Sequence, residues 1–231
     1  MDQLELDSKY AESLATDDFA VHHSFIKLLL SANDESSIAY HYEKLRAHEN
    51  RDLYLRLRAA FVKRGEAGAR YLVERIADET DPAMRADLLH LLGRLRDPAG
   101  LLLARKSLSS ADSDVRHRAC YVLGWMGEPN DVSLLAVPLL RDADPYVRRT
   151  AATAHSQFHE RLPETKDQLI DNLKKALATE TDDSVIGWII VTIQYILKKR
   201  FGLREDIEEA ELVGDLESAK RKCRLALERL S

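Results

Sequence analysis

The chain has 231 residues with 34 Lys and Arg against 39 Asp and Glu, a formal charge of −5, and only 9 Gly and 6 Pro. That is enough for one domain or one array of repeats, and the acid excess disfavours nucleic acid, because counterion release rewards a strongly basic face. The two cysteines, Cys120 and Cys223, stand in no CxxC or Cys/His spacing, so no disulfide framework, metal site or cofactor is expected.

The opening MDQLELDSKY is acidic and has no apolar core of the kind a secretion signal needs, so a cytoplasmic protein with reduced thiols is expected. The most apolar stretch, Val185 to Ile196, is broken by Gly187 and Thr192 and is too short to span a bilayer, so no membrane association is expected.

Self-comparison is informative. Six apolar anchors, Val21, Leu53, Met84, Val115, Val147 and Val185, are separated by steps of 32, 31, 31, 32 and 38 residues. Four residues on stand Phe25, Leu57, Leu88, Ala119, Ala151 and Ile189, and eight on stand Leu29, Phe61, Leu92, Leu123, His155 and Ile193. This spacing marks one face of an α-helix. Arg64, at offset 11 of the second unit, is a lapse in the apolar stripe.

Acidic turns precede most of the anchors: Asp17-Asp18, Asp81, Asp112 with Asp114, Asp142 with Asp144, and Asp182-Asp183. A carboxylate there suits the exposed N–H groups and positive end of a helix. Between these second helices, apolar segments at 69–77, 99–108, 132–140 and 168–178 predict the first helix of each pair. Gly93, Gly124 and Gly127 mark turns between repeats. The 38-residue step predicts a longer loop around Pro163, and the tail predicts two further helices at about 204–213 and 215–230. The fold class is therefore all-α, a right-handed α-α superhelix of about six helical hairpins with a helical cap. Repeats run from about 10 to 200 and the cap from 201 to 231, as a single domain over 1–231.

The run from Asp112 to Ala154 resembles HEAT-like repeats of the type found in phycobilisome lyases, whose pattern is roughly Asp-x-x-Val-Arg-x-x-Ala-x-x-x-Leu-Gly. Val115, Arg116, Ala119, Leu123 and Gly124 match, as do Asp144, Val147, Arg148 and Ala151, while the third unit keeps Asp81, Arg85, Leu92 and Gly93. The resemblance implies a solenoid and says little about function. Pigment-lyase activity would rest on it alone. Two other families share such repeats. Deoxyhypusine hydroxylases hold iron through His-Glu pairs, but His48-Glu49 and His159-Glu160 fall out of register here. Alkylpurine DNA glycosylases carry Trp, Asp and Arg on a concave face, and Trp125, Trp188, Asp87, Arg94 and Arg118 supply those types without a spacing that fixes a catalytic carboxylate.

Offsets 3, 6 and 10 share the helix face that the core stripe leaves free, and repeat stacking would align them in columns. They read Asp87, His90, Arg94, then Arg118, Tyr121, Trp125, then Thr150, Thr153, Gln157, then Trp188, Val191, Tyr195. Trp, Tyr and Arg are typical of binding hot spots. The expected partner-binding residues are thus His90, Arg94, Arg118, Tyr121, Trp125, Gln157, Trp188 and Tyr195, with Trp125 and Tyr195 alternatively folding over repeat junctions as extra core. The expected function is non-catalytic binding of another protein, a toxin-immunity protein being one specific version of it; the alternative is a glycosylase-type enzyme acting on damaged DNA. Arg85, Arg116 and Arg148 recur at offset 1 and suggest a ladder to neighbouring acidic turns, with a binding role as the alternative. His155 replaces an apolar residue, either as a buried neutral ring with one hydrogen-bond partner or as a pH-sensitive or ligand-contacting group. The acids at 205–217 read as a solvated cap or as a patch for a basic partner.

Overall fold

The computed structural model describes residues 3–206 and 211–230. Within them the chain is all-α apart from two three-residue strands. Six helical hairpins follow in order: α1 (Gln3–Leu14) with α2 (Phe19–Leu29), α3 (Glu35–Ala47) with α4 (Arg51–Phe61), and α5 (Gly65–Ile76) with α6 (Pro82–Arg94). Then come α7 (Pro98–Ser107) with α8 (Ser113–Met126), α9 (Asp131–Arg141) with α10 (Pro145–Arg161), and α11 (Lys166–Thr179) with α12 (Asp183–Leu197).

All six anchors fall in the first turn of a second helix. Leu53, Met84, Val115, Val147 and Val185 are buried. Val21 is not: in α2 the buried stripe starts one residue later, as His22, Phe25 and Leu29. The His22 Nε2 lies 3.0 Å from the Ser13 carbonyl and 2.7 Å from that of Thr16, so the ring ties α2 to the turn before it.

The second helices begin where they do because an Asx side chain accepts from their first free N–H groups. Asp18, Asn50, Asp81, Asp112, Asp144 and Asp182 all do this. A second acceptor two residues earlier takes the N–H of the cap residue itself: Thr16 for Asp18, Glu79 for Asp81, Ser110 for Asp112, Asp142 for Asp144 and Glu180 for Asp182.

The structure divides into two compact units, residues 1–100 and 101–231. In the first, α3 packs on α4 and α5, and α2 on α4. The lapse at Arg64 is a structural guanidinium, buried to 2% exposure. Its Nη2 donates to the carbonyls of Leu29 (2.8 Å) and Ser37 (3.2 Å), and its Nη1 to that of Ala32. Its Nε reaches the His41 Nδ1 at 3.3 Å. Burial, then the Arg64 charge, lowers the His41 pKa to about 3, so its ring is neutral and able to accept.

In the second unit α10 packs against α8, α9 and α12. Gly124 lets α8 approach α10 closely: a Cβ there would stand 3.1 Å from the Ala154 Cβ and 3.3 Å from its Cα. Arg161 donates to the carbonyls of Gly124 (3.1 Å) and Gly127 (2.8 Å), capping the end of α8. His155 is wholly buried with Nδ1 2.7 Å from the Ala151 carbonyl, and burial lowers its pKa to about 4. It is the neutral core histidine with one backbone partner.

Two rungs of the arginine ladder are present. The Arg116 fork grips Asp142 at 2.7 and 2.8 Å, and the Arg148 fork grips Glu180 at 2.7 and 2.9 Å. The remaining nitrogen of each donates back to its own turn, Arg116 to Ser110 and Ala111, Arg148 to Asp142 and Ala143. Arg85 is exposed and makes no ion pair with a described residue.

Two expectations are corrected. The 38-residue step produces no long loop: its extra residues lengthen α10 to 17 residues and form one 3₁₀ turn, Pro163–Thr165. The expected helix at 204–213 is instead a pair of antiparallel strands, β1 (Arg204–Asp206) and β2 (Glu211–Val213), with Arg204 opposite Val213. Gly202 (φ +108°) and Gly214 (φ +137°) bracket that segment with backbone that a helix does not permit. Leu212 on β2 packs into the space left by Gly187 on α12, where a Cβ would stand 2.7 Å from it. Of the acidic run at 205–217, Glu208 and Glu209 lie outside the described residues. The last helix, α13 (Leu216–Glu228), is N-capped by Asp215 and lays Ala219, Cys223, Ala226 and Leu227 inward as it packs on α12.

Candidate functional site

The second helices of the 101–231 unit, α8, α10 and α12, lie in sequence across one face because α10 packs on both neighbours. The core stripe turns inward through Val115, Ala119, Cys120, Val122 and Leu123 on α8, while Arg118, Tyr121 and Trp125 are only half-buried. Tyr121 and Trp125 sit one turn apart with ring centroids at 5.6 Å. Tyr121 meets His117 edge-on at 4.9 Å, and His117 meets Tyr146 of α10 at 4.3 Å. The Arg149 guanidinium then lies 5.4 Å from the Tyr146 ring and 5.0 Å from that of Trp188 on α12. The result is one continuous series of rings, Trp125, Tyr121, His117, Tyr146 and Trp188, closed by a cation against two of them.

Its electrostatics follow from that packing. His117 is buried to 3% exposure, with an Nε2 that has no hydrogen-bond partner. Burial, then the charges of Arg118 and Arg149, lowers its pKa to about 4, so the ring is neutral at pH 7. Burial, followed by nearby Tyr146, raises the Tyr121 hydroxyl, while Arg118 and Arg149 oppose that. Neither Arg118 nor Arg149 forms an ion pair with a described residue. Two guanidinium groups without carboxylates, beside the exposed Tyr146 ring and the half-buried rings of Tyr121, Trp125 and Trp188, can accept carboxylates and stack on planar groups.

Of the expected residues, Tyr121 and Trp125 are in this series, Trp188 joins it through Arg149, and Arg118 lies near enough to influence both Tyr121 and His117. Gln157 is half-buried against Gly124, and its Oε1 has no partner. Tyr195 is 51% exposed and lines a separate cavity two turns further along α12. His90 and Arg94 belong to the 1–100 unit, half-buried and exposed respectively on α6. Sequence reasoning missed His117, Tyr146 and Arg149. They occupy offsets 2, −1 and 2, and tabulating those offsets beside 3, 6 and 10 would have shown two aromatics and a cation on adjacent helices.

The other candidate sets are dispersed or engaged. The Asp87 carboxylate receives Tyr54 Oη and Arg58 Nη1 (2.9 Å), with His48 Nε2 at 3.7 Å. Those contacts hold α4 to α6. His48 ends α3 in the left-handed region (φ 50°), and His159 faces the cavity that holds Tyr195. Among the described residues no group of three His, Cys, Asp or Glu could hold a metal ion, and no helix is long and apolar enough to cross a membrane. Both cysteines are buried, and burial raises the Cys223 thiol to about 12 and Cys120 further.

Residues 69–137 match the family model for HEAT repeats. A solved structure described as the complex of CpcE and CpcF of phycocyanin lyase, from Nostoc sp. PCC7120, superposes with a TM-score of 0.61 at 20% identity, over 69% of this chain and 99% of that one. The chain matches no curated protein. With the hairpins, caps and arginine rungs described above, these findings show HEAT repeats over residues 69–137 within an all-α fold of HEAT-like hairpins.

Proposed function

We propose that the chain is a non-catalytic binding module that holds a protein partner on the face of α8, α10 and α12. The observation that carries this is the ring series from Trp125 to Trp188, spanning three successive second helices and bearing Arg149 and Arg118 without carboxylate partners. Such a surface offers large area at low conformational cost and two charges that suit an acidic or carboxylate-bearing segment. The similar solved structure is itself titled as a complex of two proteins, which supports a protein as the partner. His90 and Arg94 are proposed to contribute a second patch on the 1–100 unit, with Gln157 in the floor between α8 and α10. An immunity protein that blocks a toxin is one specific form of this reading, consistent with a small acidic chain.

The test is affinity capture from the native host, compared with Trp188→Ala and Arg149→Ala. Both residues lie outside the buried stripe, so folding should survive. Each change is expected to cost about 1–4 kcal/mol of binding. Full recovery of the same partner by folded variants would reject this face, and recovery of DNA in place of protein would favour a nucleic-acid function.

A further inference from the structure

The 101–231 unit holds a cavity of about 700 Å³ at the C-terminal end of α12, of the size that takes a small molecule. Its lining includes the apolar Pro163, Val191 and Leu203 and the half-exposed ring of Tyr195. It also includes Lys198, Lys199, Arg200 and Arg204, with Glu160 as the one carboxylate among the lining residues. None of the four cations forms an ion pair with a described residue. The segment that carries them is held in place. Gln194 donates to the Leu203 carbonyl (3.0 Å) and accepts from the Phe201 N–H (2.6 Å), and Lys198 ends α12 in the left-handed region (φ 53°). The imbalance of charge reaches His159, whose pKa is lowered by burial and then by Lys166 and Lys198, and whose Nδ1 is buried without a partner.

Four cations on one short, pinned segment, concentrated at a pocket rather than spread along a stripe, suit one compact group of more than one negative charge. Guanidinium forks match the oxygens of a phosphate in particular. We propose that this cavity binds a small phosphorylated molecule with an apolar body, the phosphate held by Lys198, Arg200 and Arg204 and the body laid against Tyr195 and Val191. The site is separate from the partner-binding face: Tyr195 and Trp188 are seven residues apart on α12, about 10 Å along the helix.

The test is titration calorimetry of the full chain with 1-naphthyl phosphate, inorganic phosphate and 1-naphthol, which present charge and body together and apart. The combined probe should bind at least tenfold more tightly than either fragment and should shift the His159 ring resonances. The Arg200→Ala/Arg204→Ala double variant should lose at least tenfold in affinity with its melting temperature unchanged, since both side chains are exposed. Tyr195→Ala should reduce the combined probe to the affinity of inorganic phosphate. Absence of binding at millimolar probe, or equal affinity in the double variant, would overturn the proposal. So would tighter binding of single-stranded oligonucleotides with increasing length. Capture of the protein partner by the double variant is expected to be undiminished, which keeps this outcome distinct from that of the face on α8, α10 and α12.

Discussion

Replacing Arg64 by Met keeps the length of an unbranched side chain while removing its charge and all five N–H donors. The structure sets the expected cost. Leu29 is the last residue of α2, so its carbonyl has no helical partner further on and takes Arg64 Nη2 at 2.8 Å; the Ala32 carbonyl takes Nη1, and Ser37 receives a longer bond at 3.2 Å. Hydrogen bonds from a charged donor contribute about 1.5–3 kcal/mol each, and a buried acceptor left without one costs a similar amount. Counting the two short bonds alone gives about 4 kcal/mol, with release of a desolvated charge acting in the opposite direction. The expected loss is therefore about 3–4 kcal/mol, a large share of the about 5–15 kcal/mol typical of a domain. Urea unfolding followed by circular dichroism should show the midpoint falling by about 1–2 M at an unchanged slope. Arg64→Lys should lose nearly as much, because one ammonium cannot serve carbonyls on both sides of the guanidinium plane. A Met variant within about 1 kcal/mol of the parent would refute the reasoning and would mean that water serves those carbonyls equally well.

Three further outcomes follow from the same structure. A double-mutant cycle on Arg116→Ala and Asp142→Ala should give a coupling of about 1–3 kcal/mol, above an exposed pair, because the fork is bidentate and the side chains are only 16% and 5% exposed; a coupling near zero would show the rung to be ornamental. Acid should destabilise the chain through His41 and His155, which are neutral when folded, with pKa values lowered to about 3 and about 4 from 6.5. The unfolded state binds the extra protons, so stability is full above pH 6.5 and falls below it, by about 2 kcal/mol per ring at pH 5; a flat profile between pH 7 and 5 would contradict both burials. Gly127→Ala would place its Cβ 2.6 Å from the Leu123 carbonyl and from the Phe158 ring. It should cost about 1–3 kcal/mol by overpacking, whereas a neutral thermal melt would mean that the α8 terminus shifts freely.

Much of the architecture was legible because each repeat states the same physics. The anchors, their partners four and eight residues on and the Asp caps mark six second helices, and the arginines at 116 and 148 announce two rungs. What escaped was whatever one repeat does differently. Val21 misled because the buried position in α2 belongs to His22, a polar residue whose Nε2 meets carbonyls across a turn. Arg64 read as a lapse because nothing local reveals that its donors serve carbonyls some 27 to 35 residues away. The strands at 204–213 were hidden by acidic residues that read as a solvated helix, and only the flanking glycines hinted otherwise. On the binding face, Trp125 and Trp188 were legible from the offset table, but the tie between them was not. It depends on His117, Tyr146 and Arg149, whose approach is set by how α8, α10 and α12 pack.

The paired grip of Arg116 and Arg148 gives these two rungs a direction. Each guanidinium fastens its own turn and reaches forward to the acid that precedes the next second helix, and that acid in turn receives the N–H of the next cap. Through these two rungs a hairpin completes the start of its successor, while Arg161 reaches back from α10 to the carbonyls that end α8. Losing the hairpin of α11 and α12 would leave Arg148 still anchored to the carbonyls of its own turn. Losing the hairpin of α7 and α8 would leave Asp142 without its guanidinium and the entry to α10 half built.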